Sequence, residues 1–350
     1  MPDTADIAAP LRLLIDGQAL AANWRWLRDR GGTADCGAAI KANGYGLGAA
    51  GVMHCLAEAG CRDFFVATWA EAQALLPLAD GIALSVLHGV REEDVAFAAG
   101  SGVRPVLSSA EQVARWQQAG GGACDVMVDT GMNRLGFDWQ DDLSPRIEGL
   151  DVRTLLSHLA CADEDHPLNR LQRDRFADLA ARHPELRASL ANSAGICLGR
   201  DYGFGLTRPG IALYGGIPRA EAEGHIRQVV QPQVQIIQRR HIRAGEGIGY
   251  NATVTAPHDL EAAILNIGYA DGYLRGFSGR GAAVVAGRRL PVLGRVSMDL
   301  LIVDVSARPD LCEGDWLDLA YALPEASALS GLSQYELLTG LGARYERRWV

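Results

Sequence analysis

Over its first two-thirds the chain repeats one pattern: a short apolar run, a loop, often a helical stretch, then another apolar run. The runs fall at 37–41, 63–67, 82–87, 103–107, 123–129, 152–158, 188–192 and 207–213. Between several of them the spacing predicts helices. Segments 48–59 and 69–76 are Ala-rich, Ser108 and Glu111 form a capping box ahead of Val113 and Trp116, and 168–183 carries Phe176, Leu179 and Ala180 on one side. Eight strands separated by helices are the arithmetic of a (β/α)8 barrel. A doubly wound open sheet is the alternative, since periodicity does not distinguish closure from openness. Chemistry on a barrel gathers at the C-terminal strand ends. There the chain places Lys41, Asp129, His158, Asn192 and Ser193, which favours the closed form.

After about residue 225 the texture changes. Short glycine-punctuated runs at 234–238, 262–267, 282–285, 290–293 and 300–305 read as strands, and 329–338 reads as a helix. The expected organisation is a barrel over 1–225 followed by a mostly β domain over 226–350, packed together without a low-complexity linker.

At 350 residues and a formal charge of −9, with no long run of like charge, the chain offers nothing to nucleic acid or to an anionic membrane surface. No apolar stretch reaches the roughly 20 residues that span a bilayer, and the acidic start, Met1 to Asp6, lacks the basic region of a signal peptide. Seven cysteines without a Cys-x-x-Cys pair suggest reduced thiols and a cytoplasmic protein. His158, Cys161 and His166 lack regular ligand spacing, so no metal site is expected.

Lys41 ends a buried run and faces Ala42-Asn43-Gly44-Tyr45-Gly46-Leu47-Gly48. Desolvation at such a place favours the neutral amine, the form that attacks carbonyls; a strand-end lysine reaching out to solvent is the plain alternative. Asn192-Ser193-Ala194-Gly195 follows the seventh run, and Arg208-Pro209-Gly210-Ile211 lies in the eighth. Loops after these two strands commonly hold a phosphate. A carbonyl-reactive lysine beside a phosphate cradle suits pyridoxal 5′-phosphate, and a sugar-phosphate aldolase fits as well.

Beyond these features the chain resembles the alanine racemase family through nearly its whole length. The resemblance is carried by Ile40 to Gly46, by Val128-Asp129-Thr130-Gly131-Met132-Asn133-Arg134-Leu135-Gly136, by Ser157-His158-Leu159-Ala160, by Asn192 to Gly195 and by Arg208 to Gly215. It continues in Gly249-Tyr250, Ile267-Gly268-Tyr269-Ala270-Asp271-Gly272-Tyr273 and Gly294-Arg295-Val296-Ser297-Met298-Asp299.

The resemblance implies a barrel followed by a β-rich domain, pyridoxal phosphate attached to Lys41, and racemisation of alanine. By that likeness Asn192 belongs to the cofactor site. Tyr45, Ser193, Gly210, Ile211 and Tyr335 hold the phosphate, Arg208 faces the ring nitrogen, and His158 lies beside the ring and hydrogen-bonds Arg208. An arginine stays protonated and donates to a neutral nitrogen, so the ring is a weaker electron sink than one paired with a carboxylate. That suits a reaction which must return its proton. Racemisation needs an acid/base group on each face of Cα; the likeness assigns Lys41 to the D-face and Tyr250 to the L-face, with the His158–Arg208 pair as the cationic support of the tyrosine. It assigns the substrate carboxylate to Arg134 and the backbone of Met298. It also implies a head-to-tail homodimer in which Tyr250 and Met298 enter the partner's site.

The chain departs from the family pattern in places. Gly44 and Leu47 stand where alanine and histidine are common, and Ser297 where cysteine is common. Met127 stands where some relatives carry a carbamylated lysine, whose charge orients the arginine that Arg134 matches. Arg134 is then expected to use a bound chloride or a nearby carboxylate. Side-chain selection is recorded in no motif, so a broader racemase for serine or basic amino acids is the alternative. A pyridoxal-phosphate decarboxylase and a non-catalytic pyridoxal-phosphate binder compete more weakly.

Overall fold

The computed structural model describes residues 8–350, so the acidic start lies outside the described residues. Two compact units form: one from residues 18–227, the other from residues 8–17 together with Gln228–Val350.

The first unit is the closed barrel. Asp35–Cys36 and Ala38–Ala39 make its first strand. In parallel order follow Asp63–Val66, Ala83–Val86, Arg104–Leu107, Cys124–Asp129, Val152–Leu156 and Arg187–Ser189. Leu206–Thr207 closes the ring. It pairs in parallel with Asp35–Cys36, while Gly205 donates its N–H to the Ala188 carbonyl of the seventh strand and Arg208 donates to the Ala191 carbonyl just beyond it. This closure excludes the open sheet. The eighth strand is shorter than the expected 207–213, because Pro209 has no N–H to continue the ladder. Gly210 then leads into a 3-10 turn at Ile211–Tyr214.

Side chains fill the barrel in layers. At the N-terminal strand ends, Arg187 pairs with Asp35 at 3.1 Å and with Asp63, and the buried Asp125 accepts from Ser85 Oγ at 2.6 Å. Above this polar floor sits an apolar layer of Phe65, Val106, Met127, Leu156 and Leu206. The C-terminal strand ends open above that layer. The helix expected to start from Ser108 and Glu111 is capped one residue later: Ser109 accepts from Gln112 N–H, and Gln112 Oε1 takes the Ser108 N–H.

The second unit is built around the long strand Val230–Ile242, whose first half alternates buried and half-buried residues. A register shift between Ile236 and Gln238 lets its two ends serve different neighbours. Its first half pairs antiparallel with Trp316–Leu319, its second with Leu260–Leu265. The first half also pairs antiparallel with Leu11–Ile15, which runs parallel to the last strand, Glu346–Trp349. The barrel expected over 1–225 therefore lacks its first described residues, which complete the C-terminal sheet instead. The helix expected at 329–338 is two, Leu323–Ser330 and Gln334–Thr339, broken at Gly331, whose φ is 75°. Among the described residues no helix is long and apolar enough to cross a membrane.

Candidate active site

Lys41 stands where the first barrel strand ends, and the chain beyond it does something unusual for L-residues. Ala42, Asn43, Gly44 and Tyr45 all have φ between 52° and 63°, one turn of left-handed helix. Each non-glycine residue in that region costs about 1–2 kcal/mol. The turn is held from several sides. Gly44 N–H donates to Ile40 C=O and Gly46 N–H to Ala42 C=O, Ala49 N–H to Asn43 Oδ1 at 3.0 Å, and Ala42 N–H to Glu71 Oε1 at 2.6 Å. The Tyr45 ring stacks on Tyr214 at 4.5 Å between centroids, and the Tyr214 hydroxyl donates to Ala39 C=O.

The lysine amine makes no hydrogen bond or ion pair among the described residues. Burial depresses its pKa below the ordinary lysine range, helped by the positive charges of Arg134 and Arg208, while Glu71 opposes them. A larger fraction of neutral amine near pH 7 follows.

Facing this lysine across the strand order is the Ser193 region. Asn192 caps the short helix Ser193–Leu198 by accepting from Gly195 N–H at 2.8 Å, which fixes the serine after it. Ser193 Oγ accepts from Gly210 N–H at 2.8 Å and from Ala212 N–H at 3.2 Å, so its own proton remains for a further acceptor. Ile211 N–H has no hydrogen-bond partner among the described residues. A β-carbon built on Gly210 would stand 2.3 Å from the Tyr45 hydroxyl, so glycine is what lets the phenol come in here. A serine hydroxyl, a free backbone N–H and a phenol at one place are the donor set of a phosphate cradle.

Arg208 is 6 % exposed and locked. Its two terminal nitrogens donate to Ser189 (carbonyl and hydroxyl) and to Ser157 C=O, and its guanidinium lies over Phe65 at 5.8 Å. Nε is the donor left over, which fits an aromatic ring nitrogen. Burial lowers its pKa to about 10, so it stays charged at neutrality. The expected His158–Arg208 hydrogen bond is absent among the described residues, because the strand carbonyls take the arginine. Nor is His158 cationic: burial, then Arg208, Arg134 and Lys41, push its pKa down to about 3. Of the His158–Arg208 pair, the charge belongs to the arginine.

Behind these residues runs a network that motif reading missed. Gln172, fully buried on the helix Pro167–Arg182, accepts from Ala160 N–H at 2.9 Å and donates to His158 C=O at 2.9 Å and Thr130 Oγ1 at 3.3 Å. Thr130 in turn shares a 2.8 Å hydrogen bond with Ser157. Only tertiary packing assigns this glutamine its partners, so no sequence signal marks it.

Asp129 holds the loop that carries Arg134: its carboxylate accepts the N–H groups of Gly131, Met132 and Arg134 at 2.7–2.8 Å. The Arg134 guanidinium makes no ion pair with any described carboxylate, so the carboxylate half of that expectation fails; Asp129 is already committed to the loop backbone. Met127 lies in the apolar layer, where a charge would be costly.

Tyr250, Met298 and Tyr335 lie in the other unit, 66 %, 53 % and 47 % exposed. There Arg344 ties two motif segments together, gripping Asp271 at 2.6 and 2.9 Å and Asp299 at 2.8 Å. Met298 C=O accepts from Ala270 N–H at 3.0 Å, while its own N–H has no hydrogen-bond partner among the described residues.

Residues 15–218 match the family described as alanine racemase, N-terminal domain, and residues 229–349 its C-terminal domain. An alanine racemase of Rhodospirillum rubrum is 45 % identical over 355 residues, covering 96 % of this chain and 95 % of its own. A biosynthetic alanine racemase of Agrobacterium fabrum is 40 % identical, covering 98 % and 94 %. The crystal structure of the Bartonella henselae enzyme, described with covalently bound pyridoxal phosphate, superposes with a TM-score of 0.89 at 35 % identity, covering 98 % of this chain and 100 % of that one. With both domains matched in order and relatives this similar along nearly the whole length, the chain belongs to the alanine racemase family.

Proposed function

We propose that the protein is a pyridoxal-phosphate-dependent racemase interconverting L- and D-alanine. The observation that carries this reading is the convergence at one barrel mouth of an unpartnered Lys41 amine, the Ser193–Gly210–Tyr45 cradle and the locked Arg208. Tyr45, Ser193, Ile211 and Tyr335 hold the phosphate, Gly210 keeps the Ser193 hydroxyl and the phenol in place, Arg208 turns its remaining nitrogen to the ring, and His158 packs beside it as a neutral imidazole. Asn192 acts through Ser193. When bound, the cofactor supplies the electron-withdrawing ring that makes the Cα proton removable.

Lys41 tethers the cofactor and moves the Cα proton on the D-face. Tyr250 moves it on the L-face, and Arg134 with the Met298 N–H holds the substrate carboxylate. The exposure of Tyr250, Met298 and Tyr335 supports a homodimer in which a second copy covers them. A chloride ion serves as the anion beside Arg134; anomalous scattering tests it. Seven free cysteines support a cytoplasmic home, where the enzyme supplies D-alanine for peptidoglycan or feeds alanine breakdown.

The test is absorbance of the purified protein at the band of lysine-bound cofactor, followed by a chiral assay on L-alanine, L-serine and L-lysine. A colourless protein that cannot be reconstituted refutes the reading. Equal turnover of all three amino acids establishes the broader racemase instead.

A further inference from the structure

One carboxylate connects Lys41 to a helix that carries none of the residues assigned above. Glu71 is the third residue of Trp69–Leu75 and makes a capping box with Thr68. Its Oε2 accepts Thr68 N–H at 3.3 Å and Ala67 N–H at 2.8 Å, which completes the usual duty of such a residue. Its Oε1 does something else: it accepts the N–H of Ala42, 29 positions away in sequence, at 2.6 Å. That N–H belongs to the peptide unit shared with Lys41, so the bond fixes the plane that follows the lysine Cα. It also anchors the first residue of the left-handed turn, where φ is 53° and an L-residue is otherwise disfavoured.

We propose that Glu71 is the positioning residue of Lys41: it sets the stance of the lysine through the Ala42 peptide and places a negative charge beside the amine. The proposal rests on the role given to Lys41 above. The charged or titratable groups that act on the amine are Arg134 from the loop after the fifth strand, Arg208 from the end of the eighth and Glu71 from the helix after the second; His158, at the end of the sixth, also feels it. Glu71 is the one anion among them. It offsets two arginines, so the amine remains basic enough to accept a proton while burial keeps it partly neutral. A glutamine has one carbonyl oxygen for both duties, so it forfeits either the Ala42 bond or the cap, together with the charge.

The experiment labels the full chain, freed of cofactor, with acetic anhydride across a pH series and reads Lys41 acetylation by mass spectrometry. Glu71→Gln is expected to move the labelling midpoint to lower pH by about half a unit or more. In the loaded enzyme it should lower kcat from D-alanine about tenfold with KM little changed. Glu71→Asp keeps the charge and shortens the reach, so its midpoint should stay at the wild-type value while kcat falls. An unchanged midpoint in folded Glu71→Gln overturns the proposal. If that variant does not fold, wild-type kcat in Glu71→Asp overturns it instead. A wild-type protein without racemase activity refutes the proposed function, yet leaves the labelling comparison readable.

Discussion

Gly210 and Tyr45 are in such close approach that a β-carbon on the glycine would stand 2.3 Å from the phenolic oxygen. The tyrosine has little room to retreat, since its ring is stacked on the buried Tyr214. Gly210→Ala should therefore displace the hydroxyl and weaken cofactor retention by about tenfold or more, corresponding to loss of one charge-assisted hydrogen bond worth roughly 1.5–3 kcal/mol. Titration of the stripped variant with pyridoxal phosphate, followed by absorbance, measures it; wild-type affinity would separate Tyr45 from the phosphate.

The depressed pKa of Lys41 predicts the limb along which activity from D-alanine rises with pH. Loss of the amine's proton below the ordinary lysine value of 10.5 should place that limb on the acid side of it. Because the Lys41 amine is free only once substrate is bound, the kcat profile over pH locates the limb, and a limb at or above 10.5 contradicts the burial and Arg134 effects together. Lys41→Ala should abolish both the covalent colour and racemisation.

His158 makes the opposite kind of prediction, about stability. Its folded pKa of about 3 lies below the unfolded value near 6.5, so between those limits the unfolded chain binds the extra proton. Stability must then rise with pH through this window and fall on acidification. Moving the cofactor-free protein from pH 7 to pH 5 should cost about 1–2 kcal/mol through this residue. His158→Gln should show a correspondingly flatter loss in denaturant titrations at the two pH values; an identical slope would mean the ring is protonated in the folded protein.

Gln172→Leu removes the partners of Ala160 N–H, His158 C=O and Thr130 in one step. Leaving such groups buried costs about 1–3 kcal/mol each, so a stability loss of roughly 3 kcal/mol or more is expected. Gln172→Glu, which keeps the acceptor for Ala160, should lose less. Equal stability of the leucine variant and wild type would show that water replaces the amide.

Much of the barrel is legible in the sequence. The apolar runs at 63–67, 103–107 and 123–129 became strands within a residue or two, because core strands announce themselves by composition. Lys41, His158 and Ser193 were placed at the barrel mouth by counting those strands. What stayed hidden depends on partners distant in the chain. The Thr68–Glu71 spacing marks a cap, yet nothing local says that the second carboxylate oxygen leaves for Ala42. The apolar character of residues 207–213 predicts a longer eighth strand, but Pro209 ends the ladder and Ile211–Tyr214 turns instead. Arg208 was expected to pair with His158, but the carbonyls of Ser157 and Ser189 bind it first.

Leu11–Ile15 sits between Val230–Ile242 and Glu346–Trp349 in one sheet. During synthesis Leu11–Ile15 must therefore wait for partners made long after it. The barrel unit, contiguous from 18 to 227, has all its strands before residue 230 is made. Leu11–Ile15 has no complete seat until Glu346–Trp349 has left the ribosome as well. Removing Glu346–Trp349 should thus unsettle Leu11–Ile15 at the same time.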